Sequence, residues 1–363
     1  MSAVSQLQVE TSLKEYIDPY LKQDLVSNKA IKKITIEGSH VTIDVELGYP
    51  ANSIKESLIE SIATRAQTID GVENVTVNLS SKIVAHSVQK GVTPLKNVKN
   101  IIAVASGKGG VGKSTTAVNL ALALAADGAN VGVLDADIYG PSQPRMLGIT
   151  GQPESADGKS MEPMVNYGIQ TMSIGFLIDE ETPMIWRGPM VTQALEQLLN
   201  ETRWKDLDYL VIDLPPGTGD VQLTLAQKIP VSGAVIVTTP QDIALLDARK
   251  GLKMFEKVNV PVLGVIENMS THICSNCGHE EHIFGAGGGV NMAKESDVEF
   301  LGALPLDISI REQADNGKPT VVADPDGRLA NIYKEIGRKV AGKLSQQAKD
   351  YSAKFPNIVI QNN

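Results

Sequence analysis

Cysteine is nearly absent: the chain of 363 residues has only two, Cys274 and Cys277. Two cannot make a disulfide framework for a chain of this length, and lying three positions apart they read as ligands or a dithiol. Aromatic residues are scarce at 4%, which disfavours an aromatic-rich β-sandwich and suits an α/β core of Ala, Val, Ile and Leu. Positive charge is in deficit as well. With 33 basic and 42 acidic residues the net charge is −9, so there is no global positive field to hold nucleic acid or an anionic membrane. No run of 18 or more apolar residues occurs, and the first ten residues lack both a basic n-region and a continuous apolar h-region. A cytoplasmic protein with neither membrane nor nucleic acid as partner is expected.

What is present falls into two styles. Leu13, Ile17, Leu21 and Leu25 are spaced four apart and predict a short helix, with a break near Pro19. Ile34 and Ile36 precede Gly38, after which Val41, Ile43, Val45 and Leu47 alternate with polar residues, the pattern of a hairpin with one buried face. A helical run through Ile54, Leu58, Ile62 and Ala66 leads to a third alternating strand at Val75, Val77 and Leu79. Residues 1–85 therefore read as a small α+β domain. Residues 86–100, the end of a polar stretch that begins near Lys82 and holds Gly91 and Pro94, read as a linker. From 101 to 363 continuous apolar strands alternate with helices: Ile101 to Ala105, Val131 to Leu134, Tyr209 to Ile212, Ala234 to Val237, Val262 to Ile266 and Leu301 to Leu304. Strands without alternation are buried on both faces, so the fold class is α/β, a mainly parallel sheet sandwiched by helices. Residues 331–354, with Ile332, Ile336 and Val340 on one stripe, read as a final solvated helix packed on this domain.

Between the first of these strands and the next helical run lies Gly107-Lys108-Gly109-Gly110-Val111-Gly112-Lys113-Ser114-Thr115. A strand, then Gly-x4-Gly-Lys-Ser, then a helix is the setting of a P-loop, in which glycines expose backbone N–H groups to phosphate and the helix N-terminus adds positive potential. Lys113 would hold the β and γ phosphates of ATP and Ser114 would ligate Mg²⁺. A chance match in a chain this long is on the order of a few per cent, and the strand and helix around it lower that further. Strand ends at Asp135 with Asp137, and at Asp213, offer carboxylates for the metal. Such an Asp is often only a turn residue; beside a P-loop in a fold where strand ends converge, the functional reading wins.

Cys274 and Cys277 sit in a polar stretch with His272, His279 and His282. Two thiolates fill half of a four-ligand iron–sulfur or zinc site, and a two-fold homodimer would supply the other half. Cys274, Cys277, His279 and His282 could hold zinc within one chain, though His-x-x-His is tighter than finger spacing. A redox or structural dithiol is the third possibility, without the strand-to-helix setting of a thioredoxin-like site. The residues alone leave all three open.

Lys108 in the loop, Leu134-Asp-Ala-Asp-Ile-Tyr-Gly-Pro-Ser142, Asp213-Leu-Pro-Pro-Gly-Thr-Gly-Asp220, Asn268-Met-Ser270 and Cys274-x-x-Cys277-Gly-His279 together resemble the deviant Walker A ATPases of the MinD/ParA superfamily, in its Mrp branch of iron–sulfur cluster carriers. Residues 10 to 85 resemble the small SufT/PaaD-type domain. The resemblance implies that Lys108 reaches the partner subunit's nucleotide, Asp137 positions the attacking water, Asp213 supports the Mg²⁺ shell and Asn268 reads adenine. It also favours a labile [4Fe-4S] cluster on Cys274 and Cys277 at a homodimer interface, delivered to apo iron–sulfur proteins by an ATP hydrolase. The rivals are a MinD/ParA-like positioning ATPase, which gives no work to the cysteines, and a zinc-binding scaffold, which gives none to Lys113 or Asp137.

Overall fold

The computed structural model describes residues 4–178, 188–274 and 276–350. Its N-terminal sheet has three strands, β1 (Ile31–Glu37), β2 (His40–Leu47) and β3 (Asn74–Ser81), with β1 antiparallel and β3 parallel to β2. The alternation in β2 buries Val41, Ile43, Val45 and Leu47 against helix α2 (Lys55–Gln67), which makes the crossover to β3, and α1 (Gln6–Leu13) packs beside α2. The helix expected through residues 13–25 does not form. Helix α1 ends at Leu13, and beyond it Asp18 turns its carboxylate back onto the chain, accepting from the Tyr20 and Leu21 N–H groups at 2.9 and 2.8 Å, and from the Tyr49 hydroxyl at 2.7 Å. Short acceptors of this kind compete with helical hydrogen bonds, and Pro19 adds to the break. Leu21 and Leu25 stay buried while Ile17 is exposed, so the four-residue spacing marked a packed turn.

The second sheet has eight strands: β4 (Val98–Ala105), β5 (Val131–Asp135), β6 (Met164–Asn166), β7 (Ile169–Ser173), β8 (Leu207–Asp213), β9 (Gly233–Thr238), β10 (Val262–Glu267) and β13 (Phe300–Ala303), in the order β13-β10-β9-β4-β8-β5-β7-β6. All pairs are parallel except β6 with β7, a hairpin that sequence patterning did not suggest. The small ribbon β11 (His272–Ile273) with β12 (Glu280–Glu281) lies outside this sheet. Helices α3 (Lys113–Ala126), α4 (Gln143–Met146), α5 (Gly188–Glu201), α6 (Asp220–Lys228), α7 (Asp242–Lys257), α8 (Gly288–Glu295), α9 (Ile308–Asp315), α10 (Thr320–Ala323) and α11 (Arg328–Ser345) complete the order. Successive strand residues go to opposite faces, which is why the strands are apolar throughout. Ile102 and Val104 join a core with α3 and α11, whereas Ile101, Ala103 and Ala105 join one with α5, α6 and α7. The chain leaves β4 toward β5 on one side and returns to β9 on the other, so the crevice at the carboxyl end of β4 is the topological switch point. The final helix stops at Ser345; residues 351–354 of the expected helix lie outside the described residues.

The stretch expected as a linker is tied down. His86 is buried with its Nδ1 2.9 Å from the Asn100 side-chain oxygen, Gln89 donates to the Ala226 carbonyl at 2.7 Å, and β4 starts at Val98. The N-terminal unit also shares one apolar core with α3 and α11, including Leu25, Tyr49, Leu120, Tyr333 and Val340. Beside it, buried Arg338 of α11 pairs with buried Asp127 at the end of α3 at 2.9 Å, reaches Ser53 at 2.9 Å, and lies 5.1 Å from the Tyr20 ring centroid. Removing one partner of such a buried pair strands the other, so Arg338→Ala is expected to lower the unfolding free energy by about 3–5 kcal/mol. Urea unfolding followed by circular dichroism measures this; a loss below about 1 kcal/mol would mean that the pair contributes no more than a surface contact.

Candidate nucleotide and metal site

Tight turning builds the loop after β4. Gly110 and Gly112 have φ of +83° and +81°, which L side chains rarely adopt, and a Cβ on Gly112 would sit 2.1 Å from the Asn268 side-chain nitrogen. Gly107 packs so closely on α7 that a Cβ there would lie 2.1 Å from the Asp247 carbonyl carbon. The N-terminus of α3 opens at Lys113, so its free N–H groups face the loop. Asn268, just after β10, donates from Nδ2 to the Val111 carbonyl at 2.9 Å, tying this strand end to the loop.

Strand register brings in the carboxylates. Asp213 stands opposite Val104 on one side and Asp135 on the other, so two acids meet at the ends of β8 and β5 beside the loop. Both are fully buried. The Lys113 ammonium pairs with Asp213, lies 3.3 Å from the Ser114 hydroxyl and 3.8 Å from the Asp137 carboxylate. Burial, then the charge of Asp213, pushes the Asp135 acid well above the usual carboxylate range. Burial raises Asp137 too, with Lys113 pulling the other way. The two candidates after β5 thus divide. Asp135 accepts from the Ser142 and Gln143 N–H groups at 2.9 and 3.0 Å and from the Ser173 hydroxyl at 3.1 Å, organising the turn, while Asp137 faces Lys113. Lys108 is exposed and makes no ion pair among the described residues.

Sequence reasoning missed Gln143. Fully buried at the start of α4, it donates from Nε2 to Asp213 at 2.9 Å and to the Ser114 carbonyl at 3.1 Å. Its only signal was a polar residue ahead of Pro144 in the turn after Asp137.

Six residues beyond Asn268, the β11–β12 hairpin carries the cysteines. The Cys274 N–H donates to the His279 carbonyl at 2.9 Å and its carbonyl accepts from Gly278 at 2.8 Å, leaving Cys277 exposed and Cys274 half-buried. Hydrogen bonds from the Cys277 and Asn276 backbone hold the Cys274 thiol below its ordinary pKa. The histidines do not join them: His282 Nδ1 lies 3.0 Å from the Ser270 carbonyl oxygen, and His279 Nε2 lies 4.0 Å from Glu281. Among the described residues no three His, Cys, Asp or Glu side chains are grouped to hold one metal ion. The one-chain zinc set of Cys274, Cys277, His279 and His282 is therefore not assembled.

A glycine-cradled loop at a switch point, opening a helix and faced by strand-end carboxylates, defines a P-loop NTPase. The family model of the NUBPL iron-transfer P-loop NTPases matches residues 97–341, and that of an iron–sulfur cluster assembly protein matches residues 6–79. The chain belongs to this NUBPL-type P-loop NTPase family. It is 52% identical over 342 residues to an iron–sulfur cluster carrier protein of Salmonella typhimurium, covering 94% of this chain and 93% of that one. It is 63% identical over 270 residues to one of Pseudomonas fragi, covering 74% and 94%. A solved nucleotide-binding protein of Archaeoglobus fulgidus in complex with ADP, with cobalt found in it, aligns with a TM-score of 0.56 at 38% identity over 64% of this chain and 90% of that one.

Proposed function

We propose that this protein is a cytoplasmic ATP hydrolase that carries a labile [4Fe-4S] cluster between two subunits, on Cys274 and Cys277 of each, and hands it to apo-proteins. The observation that carries the reading is the run from Asn268 to Cys274. One strand end braces the nucleotide loop and, six residues on, leads into a half-exposed and an exposed thiol, with His272 and His282 bonded to backbone carbonyls instead. Two thiolates per chain leave a cubane half-ligated until a second copy brings the same pair around a two-fold axis. A cluster held by few ligands near solvent is one that can be passed on. A positioning ATPase would leave this hairpin without work.

In the nucleotide site, residues 107–115 wrap the phosphates of ATP through backbone N–H groups, Lys113 turns from Asp213 to the β and γ oxygens, and Asn268 takes the adenine. The oxygen donors fit Mg²⁺: the Ser114 hydroxyl and the Asp213 carboxylate suit a hard cation that keeps several waters. When bound, that ion neutralises phosphate charge. Asp137, within 3.8 Å of Lys113, orients the attacking water, and exposed Lys108 serves the partner's nucleotide, which makes hydrolysis depend on the dimer. No helix among the described residues is long and apolar enough to cross a membrane.

Anaerobic reconstitution with iron and sulfide, followed by Mössbauer spectroscopy, sizing and mixing with an apo iron–sulfur protein, tests the proposal. The expected result is about two irons per chain with matching sulfide, a loaded dimer, and activation of the acceptor. A loaded monomer, or one tight zinc per chain that refuses iron, would overturn it.

A further inference from the structure

We propose that Gln143 is a positioning residue for the divalent cation of the nucleotide site: its amide nitrogen holds Asp213 in register with Ser114, and its carbonyl oxygen accepts from a water in the ion's hydration shell. This rests on the P-loop reading above. Gln143 Nε2 has two hydrogens, and both are spent, one on Asp213 Oδ2 at 2.9 Å and one on the Ser114 carbonyl at 3.1 Å. Since both partners are acceptors, the amide cannot be flipped, and the place of Oε1 follows. That oxygen is buried and has no partner among the described residues, and the adjacent Ser142 hydroxyl is in the same condition. Buried polar atoms are rarely left so unless another group completes them.

The surroundings say what kind of group that is. Asp135, Asp137 and Asp213 meet here with one buried cation, Lys113, to balance them. A cation is wanted, and a further carboxylate would overload the site. Mg²⁺ keeps most of its waters, and a metal-bound water points its hydrogens outward, so it needs neutral acceptors around it. A glutamine carbonyl is one. By gripping the loop helix and β8 with one amide, Gln143 also fixes Ser114 and the Asp213 carboxylate relative to each other, across 29 and 70 residues of sequence.

The test uses the full-length protein and a fluorescent ATP analogue. Binding is measured in EDTA and then as a function of Mg²⁺, and thermal melts are recorded without either ligand. Gln143→Met, close in volume and without the amide, is expected to raise the Mg²⁺ half-saturation by about 10–100-fold beyond any change in nucleotide affinity in EDTA, the usual cost of losing an outer-shell partner. Gln143→Asn, which keeps an amide but withdraws it by one methylene, should show the same direction of change and serves if the Met variant does not fold. A folded variant with an unchanged Mg²⁺ half-saturation, whatever its melting temperature, would overturn the assignment and leave Gln143 a packing residue. Wild-type protein that binds nucleotide without any Mg²⁺ dependence would overturn the metal-site reading itself, and this inference with it.

Discussion

Replacing either Cys274 or Cys277 with Ala is expected to take the reconstituted protein from about two irons per chain to none, while ATP binding stays as in the wild type. The separation follows from the fold. The phosphate loop is made by residues 107–115 on the end of β4, whereas the thiols sit on a hairpin whose hydrogen bonds run within itself and to Ser270 and Leu306. Asn268, which donates to the loop at the Val111 carbonyl, is altered by neither substitution. With two cysteines in the chain, no other thiol can replace a lost one. A single substitution in each subunit removes two of four ligands from a shared site, so partial occupancy is not expected. Zinc held within one chain predicts the opposite pattern: one metal per monomer, no visible charge-transfer absorbance, and loss of the metal on His279→Ala. Iron and sulfide analysis of the two variants, beside nucleotide titration of the same samples, decides between them.

The parts of this site that local chemistry dictates were legible in the sequence. Glycines at fixed spacing between an apolar strand and a helical run mean a phosphate loop because other residues rarely adopt those backbone angles and carry a Cβ where phosphate must approach, and Asp135 and Asp213 were visible as acids ending apolar strands. What escaped depends on residues far apart in the chain. Gln143 matters only because Asp213, 70 residues on, comes within 2.9 Å of it. The seating of the N-terminal unit on α11 rests on Ser53, Asp127 and Arg338, and no spacing rule connects these three. Two misses had local signals that were outweighed. Asp18, with the break expected near Pro19, turns the chain where Leu13, Ile17, Leu21 and Leu25 follow a helical spacing, and Tyr167 with Gly168, both at positive φ, turn the β6–β7 hairpin.

Lys113 and Lys108 are expected to fail in different ways, because one is buried among carboxylates and the other is exposed. Lys113→Ala removes the phosphate ligand and also strands Asp213 beside Asp135, so it should abolish nucleotide binding and destabilise the fold by about 3–5 kcal/mol. Its melt must therefore be recorded with its binding curve. Lys108 has no ion pair to lose among the described residues, so Lys108→Ala should melt like the wild type and bind ATP, yet hydrolyse it about 10²–10³-fold more slowly, the cost of one charge-stabilising donor. If that donor acts in the neighbouring subunit, each active site combines Asp137 of one chain with Lys108 of the other. Mixing Lys108→Ala chains with Asp137→Asn chains then yields heterodimers in which one site carries both defects and the other carries neither. Such heterodimers, isolated with two affinity tags, should regain up to half of the wild-type rate, although each parent homodimer is nearly inactive. A lysine acting on its own chain's nucleotide leaves every site of the mixed dimer with one defect, and the rate stays at the level of the parents.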